Sequence, residues 1–196
     1  MAVDQDREFE QLLEAMKRAG RVLNDAEIPF VLGGGLACWA RGGPKTEHDV
    51  DFLLKPEDAE RARQALADAG LRTEKPPEGW LLKAYDDDSG VLIDLIFDPR
   101  GGPVDNEVFE QAEELEVHAM RMKVVRLEDV LVQKLLALSE QEPDYSSVLE
   151  LARSLREQID WDEVRKRTEE SPFAKGYFTL LDELEIVGTV PRGDSP

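Results

Sequence analysis

Three aspartates carry the chemistry this chain could do. Asp49 and Asp51 stand one residue apart in the apolar run Asp49-Val50-Asp51-Phe52-Leu53-Leu54, and Asp94 interrupts a second run, Val91-Leu92-Ile93-Asp94-Leu95-Ile96-Phe97. Side chains of a strand alternate between its faces. Asp49, Asp51 and Leu53 therefore point one way while Val50, Phe52 and Leu54 point the other. Aspartate is depleted in strands, and a carboxylate on a buried one is costly without partners. Two carboxylates side by side repel unless a cation separates them. If Asp94 lies on a neighbouring strand, three carboxylates converge on one spot, the arrangement that two Mg²⁺ ions need for in-line phosphoryl or nucleotidyl transfer. The competing reading is a strand edge with solvated aspartates, against which the apolar flanks argue. The same-face neighbours of Asp94 are Leu92 and Ile96, so it has no sequence-local partner. Burial there raises its pKa and suits it to accept a proton from an attacking hydroxyl, a shift that a nearby cation opposes; a strand-end carboxylate bonded to a loop is the plain alternative. Asp98, followed by Pro99, reads as a turn residue.

Upstream, Gly33-Gly34-Gly35 follows a short apolar run and precedes a helix-like one. Glycines there let the backbone approach phosphate, and a helix start favours anions; a tight strand–helix turn accounts for them equally well. No G-x-G-x-x-G and no G-K-[ST] is present. Downstream, Leu127, Val130, Leu131, Leu135 and Leu138 form a stripe at helical spacing with Lys134 in its middle. Lys134 either snorkels at the rim of that stripe or reaches toward a phosphate or one of the aspartates. His48 faces away from the aspartates on a regular strand, and His118 has no zinc-like surroundings. Cys38 reads as a small core residue. Trp39, Trp80 and Trp161 read as core or interface, with Trp39 and Trp80 as possible borders of a base pocket.

The elements that must position these residues follow from periodicity and breakers. Residues 7–24 pattern as an amphipathic helix with Phe9, Leu12, Leu13, Met16 and Leu23 on one face. Residues 28–32 and 50–54 read as strands, 35–40 as a short helix stopped by Gly42-Gly43-Pro44, and Pro56 as the first turn of a helix ending near Gly70. Residues 80–85 and 91–97 form a hairpin around Asp86-Asp87-Asp88-Ser89-Gly90. A short helix and extended segments fill 105–126. From Leu127 the pattern is helical, with Asp160 as N-cap and Glu163 reaching back to it, and a last helix starting at Ser171-Pro172.

The chain has 196 residues, 41% of them hydrophobic, and a single cysteine, so it can bury a real core without an internal disulfide. Its 43 Asp and Glu against 24 Lys and Arg give a net charge of −19, which works against non-specific nucleic-acid binding. Arg121, Lys123 and Arg126 form one small basic cluster. With no N-terminal apolar stretch of signal-peptide length and no membrane-length run, a cytoplasmic protein without a membrane partner is expected.

Together, Gly33-Gly34-Gly35-Leu36-Ala37, Asp49-Val50-Asp51, Asp94 and the segment Leu127–Leu136 resemble the nucleotidyltransferase superfamily with a polymerase-beta-like palm. Its small bacterial members carry a motif of the type GG-x-A…R-x-T-x-D-[VI]-D, a later strand Asp and a helical C-terminal region. The resemblance implies an α/β (α+β) fold, a mixed sheet flanked by helices, over residues 1–126, then a helical region 127–188 and a flexible tail 189–196. It implies transfer of a nucleoside monophosphate from an NTP to an acceptor hydroxyl, with release of pyrophosphate. Asp49, Asp51 and Asp94 would be the catalytic and Mg²⁺-binding residues; Gly33, Gly34, Lys45 and Lys134 would bind nucleotide, and Asp144 matches the Asp that recurs downstream of the lysine. The chain departs from the motif at Lys45-Thr46-Glu47, where a glutamate stands at the place of the small hydroxyl and Lys45 keeps only the charge of arginine. Gly34 replaces the serine of polymerising relatives. The acidic charge leans toward a small-molecule or protein acceptor over RNA. Two other readings stay open: a catalytically degenerate nucleotide-binding regulatory module, and a nucleotidyltransferase toxin of a toxin–antitoxin pair.

Overall fold

The computed structural model describes residues 2–46, 49–100 and 102–187. One mixed sheet of seven strands organises them, in the order β3-β4-β5-β2-β1-β7-β6. Chain order is α1 (Ala2–Asp25), β1 (Val31–Leu32), α2 (Gly34–Trp39), β2 (Asp49–Leu53), α3 (Pro56–Asp68), β3 (Arg72–Glu74), β4 (Leu81–Asp86), β5 (Val91–Ile96), α4 (Asn106–Gln111), β6 (Glu113–Val117), β7 (Met120–Val124), α5 (Leu127–Ala137), α6 (Ser146–Leu155), α7 (Trp161–Arg167) and α8 (Pro172–Glu183). The mixed α/β architecture is the one expected.

The strand that carries the aspartate pair is central. β2 runs parallel to β5 on one side and antiparallel to β1 on the other. Its Val50, Phe52 and the following Leu54 are fully buried, as are Ile93 and Leu95 of β5. α1 and α3 both contact this part of the sheet. The predicted stripe of α1, from Phe9 to Leu23, is the buried face of that helix. Burial of a full-sized aliphatic or aromatic side chain is worth about 1.5–3 kcal/mol, so this face fixes which side of β2 is core and which is left for Asp49 and Asp51.

Most strand and helix ends move by one residue, and three larger differences from the sequence reading each have a local reason. α1 begins at Ala2, five residues before the apolar stripe marks it. The strand expected over 28–32 shrinks to Val31–Leu32. Glu27 adopts φ 53 and the Ile28 N–H caps the end of α1 by donating to the Leu23 carbonyl, while Pro29 has no N–H to give a ladder. β3 was not anticipated; its Arg72, Thr73 and Glu74 form an edge strand paired with β4, too short and polar to register as an alternating run.

The helical part joins the rest through α5, which packs against α2, α6, α7 and α8. The hydrophobic cluster that begins at Phe9 continues without a break through Leu131, Leu151 and Tyr177 to Ile186. Asp160 caps α7 by accepting from the Glu163 N–H at 3.0 Å, and Ser171 caps α8 by accepting from the Ala174 N–H. Glu163 does not reach back, however. It pairs with Arg126 and Arg167, and the buried Glu128 of α5 accepts from the Asp160 N–H at 2.8 Å instead. That bond ties α5 to α7. Glu128→Ala orphans a backbone donor and should cost about 1–3 kcal/mol, a fall in Tm of about 5 °C by calorimetry, whereas Glu128→Gln keeps the acceptor and most of the stability. The expected basic cluster is dispersed: Arg121 faces Glu114, the Lys123 ammonium donates to the Phe109 carbonyl, and Arg126 joins the acidic groups just named.

Candidate active site

Strand register builds the site. Asp51 of β2 stands beside Asp94 of β5, and Asp94 stands opposite Lys83 of β4. On the far side of Asp51 the neighbour is Gly33, whose N–H donates to the Asp51 carbonyl at 2.8 Å. A row Lys83–Asp94–Asp51–Gly33 therefore crosses four adjacent positions of the sheet on one face. Asp49 lies on the same face, two residues along β2. Asp49, Asp51 and Asp94 each bring an oxygen within 4.8 Å of the others, so the three carboxylates expected to converge do so.

The glycines give way to this cluster. Gly34 has φ +55, and a Cβ there would fall 1.7 Å from Oδ2 of Asp51. A Cβ on Gly33 would meet Leu53 at 2.2 Å, and one on Gly35 would meet Oγ1 of Thr46 at 2.5 Å. The chain turns from β1 into α2 directly against the side chains of β2 and its approach, and only glycine leaves them room. The tight strand–helix turn read from the triplet is present, and it lies directly against the Asp51 carboxylate.

Burial pushes the Asp51 carboxyl up to about 7, and repulsion from Asp49 and Asp94 adds to it; Lys134 and Lys83 pull the other way and do not cancel the effect. Asp94 is likewise raised, first by burial, against the pull of Lys83. Its Oδ1 accepts from the Lys83 ammonium at 3.2 Å, and both side chains are largely shielded from solvent. Burial works against the Lys83 ammonium, yet the Asp94 carboxylate outweighs it and the pKa lies above the ordinary lysine value. Asp94 thus has a partner that no sequence neighbour supplied. The signal was present in the hairpin: with Asp86 paired to Val91, counting back along both strands sets Lys83 against Asp94.

A cleft of about 630 Å³ opens over this face, bordered by Gly34, Asp51, Trp80, Arg100, Gln133 and Lys134. A second hollow of about 340 Å³ is bordered by Gly35, Lys45, Thr46, Lys134, Ser147 and Glu150. Lys134, half-buried on α5, belongs to both walls. Lys45 sits at the rim of the second, its ammonium 2.7 Å from Asp6 and over the Phe9 ring. Thr46 supplies a hydroxyl beside Gly35, one position earlier than the motif spacing suggests. Glu47 and His48 lie outside the described residues, as does the tail from 188. Of the tryptophans, Trp80 borders the cleft, while Trp39 packs edge-on against Phe9 and Trp161 against Phe178. Asp98 borders the cleft too, just past the end of β5. Asp144 is exposed and accepts from the Ser146 N–H before α6. Cys38 is buried, its thiol pushed up to about 11 by that burial. Lys83, Thr46 and Arg100 are the polar groups of this region that the sequence did not single out.

Three carboxylates thus converge against a glycine turn, and one of them, Asp51, borders the cleft. A family model described as "Nucleotidyl transferase of unknown function (DUF2204)" matches residues 12–175. The chain belongs to this family. The nucleotidyl transferase motif residues and both cleft walls fall inside the matched span. Comparison with curated protein sequences gave no match. Among solved structures, the antibiotic-resistance factor ANT(2'')-Ia in solution superposes with a TM-score of 0.62 at 13% identity, over 88% of this chain and 96% of that one. A crystal structure of ANT(2'')-Ia in complex with adenylyl-2''-tobramycin gives a TM-score of 0.60 at 13% identity, over 84% and 98%. At that identity the likeness establishes the nucleotidyltransferase fold. No helix among the described residues is long and apolar enough to cross a membrane.

Proposed function

We propose that this protein transfers a nucleoside monophosphate from an NTP to a hydroxyl of a small acceptor molecule and releases pyrophosphate. The observation that carries the reading is the convergence of Asp49, Asp51 and Asp94 within 4.8 Å, with Asp51 bordering the large cleft. The donor set suits a hard divalent cation: all ligands are carboxylate oxygens, with no thiolate or imidazole among them. Burial and, after it, the negative charge of Asp49 and Asp94 lift Asp51, and a divalent cation would relieve that charge. Asp49, Asp51 and Asp94 would hold Mg²⁺, which supplies charge stabilisation at the reacting phosphate and in two-ion sites clamps both attacking and leaving oxygens.

The chain's own residues then divide the work. Asp94, kept protonatable by burial, accepts the proton of the acceptor hydroxyl as its oxygen bonds to the α-phosphorus and the bond to the β-phosphate oxygen breaks. Gly33 and Gly34 keep the backbone clear for the β- and γ-phosphates. Lys134, shared by both hollows, holds their charge, and Lys45, Thr46 and Ser147 border the space beyond. The large cleft has the volume of a small-molecule site, with Trp80 offering an aromatic wall. ANT(2'')-Ia, with the same fold, has been captured with an adenylylated aminoglycoside, which supports a small hydroxyl-bearing acceptor here over RNA. An NTP donor fits a cytoplasmic protein.

The test is calorimetric titration of each NTP with Mg²⁺ into wild type and Asp49→Ala/Asp51→Ala, followed by pyrophosphate release with a panel of hydroxyl-bearing acceptors. Metal-dependent NTP binding and acceptor-dependent release, both lost in the double variant, are expected. NTP binding with no release on any acceptor would favour a regulatory module. Lys134→Ala should weaken NTP binding about tenfold, the worth of about one charge-assisted contact, and should leave nucleoside binding nearly unchanged, as compared by the same titration.

A further inference from the structure

The row across the sheet places a cation where a three-carboxylate metal centre has no need of one. Lys83 lies directly opposite Asp94 on β4, its Nζ 3.2 Å from Oδ1. It is not a surface lysine that wandered in. Its side chain is only 22% exposed and that of Asp94 11%, and the strand register fixes both Cα positions. Asp94 therefore sits between an anion, Asp51, and a cation, Lys83. Along β4, Leu82 and Ala84 are buried on one face, and Lys83 lies on the other between the buried Leu81 and the partly exposed Tyr85.

We propose that Lys83 is a positioning residue that withholds Asp94 from divalent cations in the nucleotide-free protein, splitting the cluster into a one-ion site at Asp49 and Asp51 and a lysine-held Asp94. The inference rests on the carboxylate cluster being a metal site. The ammonium occupies a coordination direction of Asp94 and carries the same sign as an incoming ion, so it opposes a second ion both by occupancy and by charge. The triphosphate of a bound NTP brings the negative charge that offsets this opposition. Lys83 thus couples full assembly of the site to the presence of nucleotide, and in its absence it keeps the buried Asp94 from facing the other two carboxylates uncompensated.

The experiment is Mn²⁺ titration without nucleotide, followed by the loss of the free-ion electron paramagnetic resonance signal and by calorimetry, on wild type, Lys83→Met and Lys83→Arg, with circular dichroism to verify folding. Wild type and Lys83→Arg are expected to bind one Mn²⁺ per chain, and Lys83→Met a second, with Lys83→Met/Asp94→Asn returning to one. Lys83→Gln replaces the methionine variant if that fails to fold. Equal stoichiometry and affinity in wild type and Lys83→Met, both binding Mn²⁺, would overturn the role of Lys83 and leave the metal site standing. No Mn²⁺ binding by either folded protein would overturn the metal reading itself, and this proposal with it.

Discussion

Asp51→Asn is expected to abolish nucleotidyl transfer while making the metal-free protein more stable. Asp51 stands in the middle of the row, beside Asp94 and two residues from Asp49, and its carboxyl is pushed up to about 7 by burial and by those two neighbours. The unfolded chain leaves it near its ordinary value of 3.8. Between these values the folded protein binds a proton that the unfolded chain does not. The contribution of Asp51 to stability is therefore fully present below about pH 4 and is lost as pH rises through about 7. An amide of the same shape carries no charge and escapes this loss. Discounted for partial solvent access, the gain should be about 2 kcal/mol at pH 8, or about 5 °C in Tm, shrinking toward nothing at pH 4. Mg²⁺ should reverse the order, because it stabilises wild type by binding the folded state and has less to bind in the variant. Losing a ligand from the centre that stabilises several kcal/mol of transition-state charge should lower kcat by about 10³-fold or more. Scanning calorimetry at pH 4 and pH 8, with and without Mg²⁺, checks the first half, and pyrophosphate release checks the second. A variant less stable than wild type at pH 8 without metal would show that Asp51 makes stabilising contacts that outweigh the repulsion.

Gly34→Ala should be nearly as damaging to function with an intact fold. The added Cβ would fall 1.7 Å from Oδ2 of Asp51, at a φ of +55 that alanine adopts only at a cost of about 1 kcal/mol. The way out is for the Asp51 carboxylate to swing off the glycine, because the alternative is to move the buried β1–α2 turn. Metal binding should then fall at least tenfold and kcat about 10²-fold, since a displacement of about 1 Å is enough for that loss. Gly42→Ala is the control. Gly42 also has positive φ, 90, but a Cβ there meets nothing within 4 Å. It should lose a similar small increment of stability and no activity. Mn²⁺ titration and pyrophosphate release on both variants separate a clash with Asp51 from backbone strain. Equal activity in the two alanine variants would show that Asp51 does not need the space above Gly34.

Much of this site could be read along the chain because its parts are local. Asp49 and Asp51 are two apart on one strand, and alternation alone puts them on one face. The glycine triplet lies between an apolar strand and an apolar helix, and Pro56, Asp160 and Ser171 mark helix starts by chemistry that acts within one turn. Other features depended on pairing. The partner of Asp94 is eleven residues away across a hairpin, so Lys83 emerges only once the register is set. Glu163 turned away from its own helix start because Arg126 and Arg167 offered it opposite charge, and Glu128 from another helix took its place. β1 shortened because the end of α1 claimed the Ile28 N–H.

By itself the sequence determined the family resemblance and the acidic groups that carry it. Paired carboxylates at strand spacing behind a glycine turn are legible because side-chain alternation and backbone freedom are properties of a few consecutive residues. Only the tertiary structure decided that Asp94 lies beside Asp51, that Lys83 pairs with it, that Thr46 fills the space over Gly35, and that Lys134 belongs to two hollows at once. Those are matters of register and of helix placement on a sheet, which are set by burial summed over the whole core and not by any residue's near neighbours.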